Sequence, residues 1–204
     1  MMTITSDHWL TIAERQLLPG GNPMSTRRFL VVHFTGGWDA QGSLDFWKTP
    51  AAKGACAHIL LDRDGTMIQC RPFNRTAGHA GVSKWRDPKT GVVYKGLNDC
   101  SIGIEVCNCG DLPRERYPLK LGGGPIPRIS ARHKNGGPVK RWEKYPDVQL
   151  AALDDVAAVL VRRYQLDDVV GHDDIAPERK NDPGPAFPME AFRIKLGFPP
   201  LPRP

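Results

Sequence analysis

The chain has no apolar run near the ~20 residues needed to cross a bilayer. It also lacks the paired CxxC elements of a structural zinc ribbon. Its five cysteines, Cys56, Cys70, Cys100, Cys107 and Cys109, are odd in number and irregularly spaced. That argues against a disulfide framework and leaves buried free thiols as the default. No internal repeat and no linker separates folded units, so 204 residues fit one core better than two. Helix-turn-helix, zinc-finger and aromatic RNA-binding signatures are missing as well. The 28 Lys and Arg against 22 Asp and Glu leave a formal charge of +6, which favours anionic partners. Those cations are scattered, so nucleic-acid binding is not expected, and without a spanning apolar run neither is membrane insertion. The opening MMTITSDHWLTIAERQLLPGG has no basic segment followed by an apolar one. Synthesis in the cytoplasm without a signal peptide is therefore expected.

What the sequence does have is the balance of a loop-rich globular domain: 40% hydrophobic and 25% charged residues, with 21 Gly and 19 Pro. RRFLVVHFTGG contains a β-branched and aromatic run, Phe29 to Phe34, ended by glycines, which predicts a strand buried on both faces. GSLDFWK (42–48) predicts a helix capped by Ser43. AHILLDRDGTMIQC predicts two strands joined at Asp64-Gly65, a pair suited to a tight hairpin turn. In NDCSIGIEVCNCG, alternation sets Ile102, Ile104 and Val106 against Ser101, Gly103, Glu105 and Cys107. Residues 110–146 show neither period and are expected as a long loop or insertion. From Asp147, a plausible N-cap, apolar residues recur at helical spacing to Tyr164. A short strand, Asp168 to Gly171, and a helix from about Met189 to Leu196 complete the order. The fold class is α/β (α+β): a mixed central β-sheet flanked by helices.

Several polar residues stand out against that frame. His33 ends an apolar strand and on its own would be an ordinary hydrogen-bonded core histidine; its alternative is a metal ligand at a strand end. His172 repeats the pattern after Val169-Val170-Gly171. Asp182 follows ten residues later, before Pro183, either as a turn aspartate or as a third ligand. Two imidazoles and a carboxylate form a catalytic zinc shell with a fourth position open to water. Glu105, on the non-isoleucine side of its strand, is either a solvent-facing charge or a proton acceptor for that water. Lys180 is either a surface lysine or a cation for an oxyanion. His58 and His79 are further imidazoles in candidate site loops, either packing or binding substrate; the small neighbours in AGHAG favour His79.

FLVVHFTGG, AHILLDRDG, RTAGHAGVS, NDCSIGIEV and GHDDIAPERKNDPGPAF, in that order, resemble the type-2 N-acetylmuramoyl-L-alanine amidases. That zinc amidase superfamily also includes phage lysozyme-like amidases and peptidoglycan-recognition proteins. The resemblance runs from about residue 28 to 195, and an aspartate third ligand is similar to the anhydromuropeptide branch. It implies a single peptidoglycan-recognition-protein/amidase-like domain over residues 28–198, with an N-terminal extension at 1–27 and a Pro-rich tail at 199–204. It implies one Zn2+ held by His33, His172 and Asp182, with Glu105 and Lys180 catalytic and His79 in a segment lining the substrate groove. The partner would be peptidoglycan or muropeptides, met in the cytoplasm or at the wall after release or export. A recycling enzyme, an endolysin and an exported effector all fit that outline. The alternative is a non-catalytic peptidoglycan-binding module of the same fold. The 110–146 stretch departs from the compact members in being longer and more basic.

Overall fold

The computed structural model describes residues 2–111, 120–121 and 124–201. In chain order its elements are β1 (Glu14–Arg15), β2 (Phe29–Phe34), α1 (Ala40–Trp47), β3 (Ile59–Leu61), β4 (Met67–Gln69), β5 (Lys84–Arg86), β6 (Val93–Lys95), β7 (Ser101–Val106), β8 (Lys120–Leu121), β9 (Gly124–Pro125), β10 (Arg128–His133), β11 (Gly136–Glu143), α2 (Asp147–Tyr164), β12 (Asp168–Gly171), α3 (His172–Ile175) and α4 (Met189–Lys195). Short 3-10 turns lie at Pro50–Ala52 and Leu97–Asp99. Among the described residues, no helix is long and apolar enough to cross a membrane.

The central sheet has the order β1-β4-β3-β7-β2-β12. β3 and β4 run antiparallel, while β1–β4, β3–β7, β7–β2 and β2–β12 are parallel. The sheet is therefore mixed, with both faces covered as its apolar strands require. Leu30 and Val32 of β2, with Ile102 and Ile104 of β7, meet Leu153, Val156, Ala157 and Leu160 of α2. Burying each of these large aliphatic side chains contributes roughly 1.5–3 kcal/mol before entropy is charged against it. Alternate residues emerge on the other face. There Phe29 and Val31 pack with Ala80, Leu97, Val170 and Ile175, and Leu60 packs with Ala40 and Leu44 of α1.

Three details differ from what the sequence suggests. The N-cap of α1 is Asp39, whose carboxylate accepts from the Gly42 N–H at 2.7 Å, while the Ser43 hydroxyl donates to the Asp39 carbonyl. Asp39 sits where an acceptor reaches the free amides of the first turn, whereas Ser43 lies inside the helix. Likewise Pro146 occupies the N-cap of α2, and Asp147 is its first helical residue. Of the long loop or insertion expected at 110–146, most of what is described is regular rather than loop: β10 and β11 form an antiparallel hairpin. Residues 112–119 and 122–123 of that stretch lie outside the described residues, as do 202–204 of the expected Pro-rich tail.

The hairpin is bound to the core by a buried ion pair. Arg63, after β3, donates to both carboxylate oxygens of Glu143 at the end of β11, and Glu143 also accepts from the Cys109 N–H at 2.7 Å. The N-terminal residues are equally integrated: β1 joins the sheet, and Leu10, Leu18 and Met24 are buried. At the opposite edge the Arg193 guanidinium of α4, itself 1% exposed, donates to Asp168 at 2.6 Å and to the Val169 carbonyl of β12. All five cysteines are free.

Candidate active site

Three neighbouring parallel strands, β7, β2 and β12, end on the same side of the sheet. His33 is the penultimate residue of β2, Glu105 that of β7, and His172 follows β12 directly. Carboxyl ends of adjacent parallel strands are where α/β sheets place their sites. The loop after α3 then brings Asp182 back: the Asp173 N–H donates to the Asp182 carbonyl at 2.8 Å.

The Nδ1 atoms of His33 and His172 lie 2.8 Å apart, and Asp182 Oδ2 is 3.0 Å from the first and 2.9 Å from the second. All three side chains are buried. Donor atoms this close can each sit about 2.0–2.2 Å from a single ion. Two neutral nitrogens and a carboxylate suit a divalent cation of borderline softness. Burial pushes the His33 imidazole down to about 4, against the pull of its Asp182 hydrogen bond, so the ring is neutral at pH 7. For Asp182, burial favours the acid, but hydrogen bonds and charge from His172 and His33 outweigh it and hold the carboxyl below its usual range. His33 and Asp182 are thus in the protonation states that metal binding requires.

Glu105 is the register partner of His33 on the adjacent strand. Its Oε2 is enclosed, with no hydrogen-bond partner among the described residues. Burial, then repulsion from Asp182, pushes its carboxyl well above the ordinary range, with the charge of Lys180 opposing. Glu105 also forms part of a cleft of about 430 Å³ whose walls include Trp38, Asp39, Phe46 and Trp47. Lys180 lines a second cleft, of about 360 Å³, between the β10–β11 hairpin and the loop after α3. Its other walls include Asn135, Lys140, Arg179 and Asn181.

The two other candidate histidines, His58 and His79, line neither cleft. His58 is 0% exposed; its Nδ1 accepts from the Gly103 N–H at 3.1 Å and its Nε2–H donates to the Arg75 carbonyl at 2.8 Å. With both nitrogens committed to backbone, the expected substrate contact has no surface from which to be made. His79 is 7% exposed and sits behind His33, its Nδ1 2.9 Å from His33 Nε2. Burial and the neighbouring His33, His58 and His172 push it well below the usual histidine range.

The aromatic wall escaped sequence reasoning, because Trp38, Phe46 and Trp47 carry no pattern that separates a groove wall from a core. The clamp on α3 was missed too: His133 and Lys134 of the hairpin meet Asp173 at 3.0 and 2.8 Å. The hairpin itself was not foreseen.

A buried His-His-Asp triad beside a glutamate with an enclosed oxygen, at the carboxyl ends of parallel strands, is compatible with a metal site of the kind hydrolases use. Residues 22–185 match the family model for N-acetylmuramoyl-L-alanine amidase, and the chain belongs to that family. It is 33% identical over 185 residues to the 1,6-anhydro-N-acetylmuramyl-L-alanine amidase AmpD of Enterobacter cloacae, covering 82% of this chain and 79% of that protein. It is 32% identical over 172 residues to the N-acetylmuramoyl-L-alanine amidase AmiD of Escherichia coli, covering 80% of this chain and 51% of the relative. Among solved structures, that of a selenomethionine AmpD derivative superposes with a TM-score of 0.65 at 28% identity, over 95% of this chain and 99% of the other. The E. coli AmiD complex with anhydro-N-acetylmuramic acid-L-Ala-D-gamma-Glu-L-Lys gives 0.63 at 28% identity, over 98% and 67%.

Proposed function

We propose that this chain is a zinc-dependent N-acetylmuramoyl-L-alanine amidase. It hydrolyses the amide between N-acetylmuramic acid and L-alanine of the stem peptide, in peptidoglycan or in muropeptides. The observation that carries this is the convergence of His33, His172 and Asp182 within hydrogen-bonding distance of one another, with Glu105 beside His33. The AmpD relatives, named for anhydromuropeptides, and the substrate held by AmiD support the choice of bond.

His33, His172 and Asp182 would hold the ion, and their donor set is the one zinc takes in hydrolases with an open fourth position. When bound, zinc supplies Lewis acidity toward a carbonyl and lowers the pKa of water to about 7. Glu105 takes the proton from the attacking water at its enclosed carboxylate and returns it to the leaving nitrogen. A carboxyl raised by burial is suited to both halves of that shuttle, because its affinity for a proton lies nearer the working pH. Lys180 places a cation beside the oxyanion that develops on the scissile carbon. No covalent bond to the protein is needed.

Residues 28–198 are assigned as the catalytic domain. The site of action is the cytoplasm for muropeptides, or the wall after release or export. Mass spectrometry of products from anhydromuropeptides and from intact sacculi tests the reaction and its setting together. Free stem peptide, lost on chelation and restored by zinc, is the expected result. Binding to sacculi with no product released would replace the enzyme with a binding module.

A further inference from the structure

We propose that His79 is a positioning residue for the metal centre: it holds His33 in the tautomer that leaves Nδ1 free to bind the ion. The inference rests on the metal-site assignment above and extends it to residues that touch neither ion nor substrate.

The tautomers follow from counting protons along a hydrogen-bonded line. The Ser101 hydroxyl has one proton, and it lies 2.6 Å from the Leu97 carbonyl, a group that can only accept. The same oxygen is 3.3 Å from His79 Nε2. Its proton being committed to Leu97, Ser101 accepts there and His79 Nε2 carries the hydrogen. A neutral imidazole has one N–H, so His79 Nδ1 presents a lone pair. That lone pair faces His33 Nε2 at 2.9 Å. His33 must therefore donate from Nε2, which leaves its Nδ1 unprotonated among the other two donor atoms. Anchoring the far nitrogen of a ligand histidine both chooses the tautomer and fixes the ring plane.

The backbone beneath His79 is shaped for this. A Cβ on Gly103 would fall 2.5 Å from His79 Cγ and 2.6 Å from its Nδ1, closer than nonbonded atoms can approach. The ring lies flat across β7 in space that a side chain at 103 would fill. The Gly103 amide meanwhile donates to His58 at 3.1 Å, and the His58 and His79 rings meet edge to face with centroids 5.9 Å apart. His58 thus backs His79, and His79 backs His33. The glycine of SIGIE and the histidine of AGHAG are one device, split between two motifs.

The test compares wild type with His79→Leu, His79→Asn, Ser101→Ala and Gly103→Ala, each checked for folding by circular dichroism. Zinc affinity is read by competition with a chromophoric chelator, and ring tautomers by long-range proton–nitrogen correlation on histidine-labelled protein. Wild type is expected to show His33 protonated at Nε2 with zinc at Nδ1. His79→Leu should weaken zinc binding by about 10–100-fold, the range found when such outer partners are removed. His79→Asn, whose Oδ1 can stand near the place of Nδ1, should recover most of that loss. Gly103→Ala should resemble His79→Leu although it deletes no polar atom; should it fail to fold, the Leu and Asn pair still decides. Folded His79→Leu that binds zinc as tightly as wild type, or a His33 that binds zinc through Nε2, would overturn the inference alone. Wild type that takes up no zinc would instead remove the metal-site assignment on which it rests.

Discussion

His33 and Glu105 are register partners on adjacent parallel strands, so their side chains leave the same face of the sheet side by side. The candidate ligand and the candidate proton acceptor are therefore held by two strands whose spacing the backbone hydrogen bonds fix, not by loops.

That arrangement separates chemistry from metal binding. Glu105→Gln keeps shape and volume but cannot accept a proton. Turnover on muropeptides should fall by roughly 10²–10⁴-fold while zinc content stays at the wild-type level. Zinc lost along with activity would mean that Glu105 belongs to the ligand set. In metal-free protein the same variant should be more stable than wild type at pH 7. A carboxyl raised in the folded state binds its proton more tightly there than in the unfolded chain, so its contribution to stability declines as pH rises above the unfolded value.

Lys180 should act on rate rather than on capture. Lys180→Met removes the cation with little change in bulk, and kcat should drop by about 10²–10³-fold, as when one oxyanion donor is deleted. KM should move much less. A large KM change with kcat intact would place Lys180 on the stem peptide instead of the reacting carbonyl.

His58, behind His79 and the candidate metal centre, gives the fold an acid-sensitive point. Burial lowers it to about 4 from an ordinary 6.5, with the nearby charge of Arg71 adding to the effect and the hydrogen bond to the Arg75 carbonyl opposing it. Between those two values the unfolded chain holds a proton that the folded one does not. Stability from this group is therefore complete above the unfolded pKa and is lost progressively as pH falls toward 4. The total is on the order of 3 kcal/mol. Urea unfolding of wild type and His58→Leu between pH 7 and 4.5 should show a shallower pH dependence in the variant. Parallel curves would refute this.

The Arg63–Glu143 pair is buried on both sides, so cutting it leaves one charge stranded. Arg63→Met alone should cost about 3–5 kcal/mol, and the double variant with Glu143→Met should regain most of it. Equal losses in single and double variants would show that the side chains matter as packing volume, not as a pair.

What was legible in the sequence is what burial writes with a period. Phe29–Phe34, Asp147–Tyr164 and Asp168–Gly171 carry continuous or helically spaced apolar residues, and the strands and long helix fall there. The β10–β11 hairpin left no such trace, since most of its residues are half or fully exposed on both sides and, of the residues alternating with Arg128, Ser130 and Arg132, Ile129 alone is strongly apolar. Leu10, Leu18 and Met24 reach the core one at a time, so no period in the sequence marks their burial. For the site, the strand-end positions of His33 and His172 were visible, but their meeting across 139 positions follows from β2 and β12 being neighbours. His79 looked like a groove residue because small neighbours permit a close approach. What approaches is His33 from within, a distinction that depends on which side of β7 the ring lies.

Arg193 has a consequence for how molecules of this protein meet one another. Among the described residues β12 is the outermost strand on its side of the sheet, and an outer strand with free carbonyls is a template onto which a neighbour's backbone can add. By engaging the Val169 carbonyl from within its own chain, Arg193 occupies a rung of that ladder. The charge that balances Asp168 also fills a place that an added strand would need.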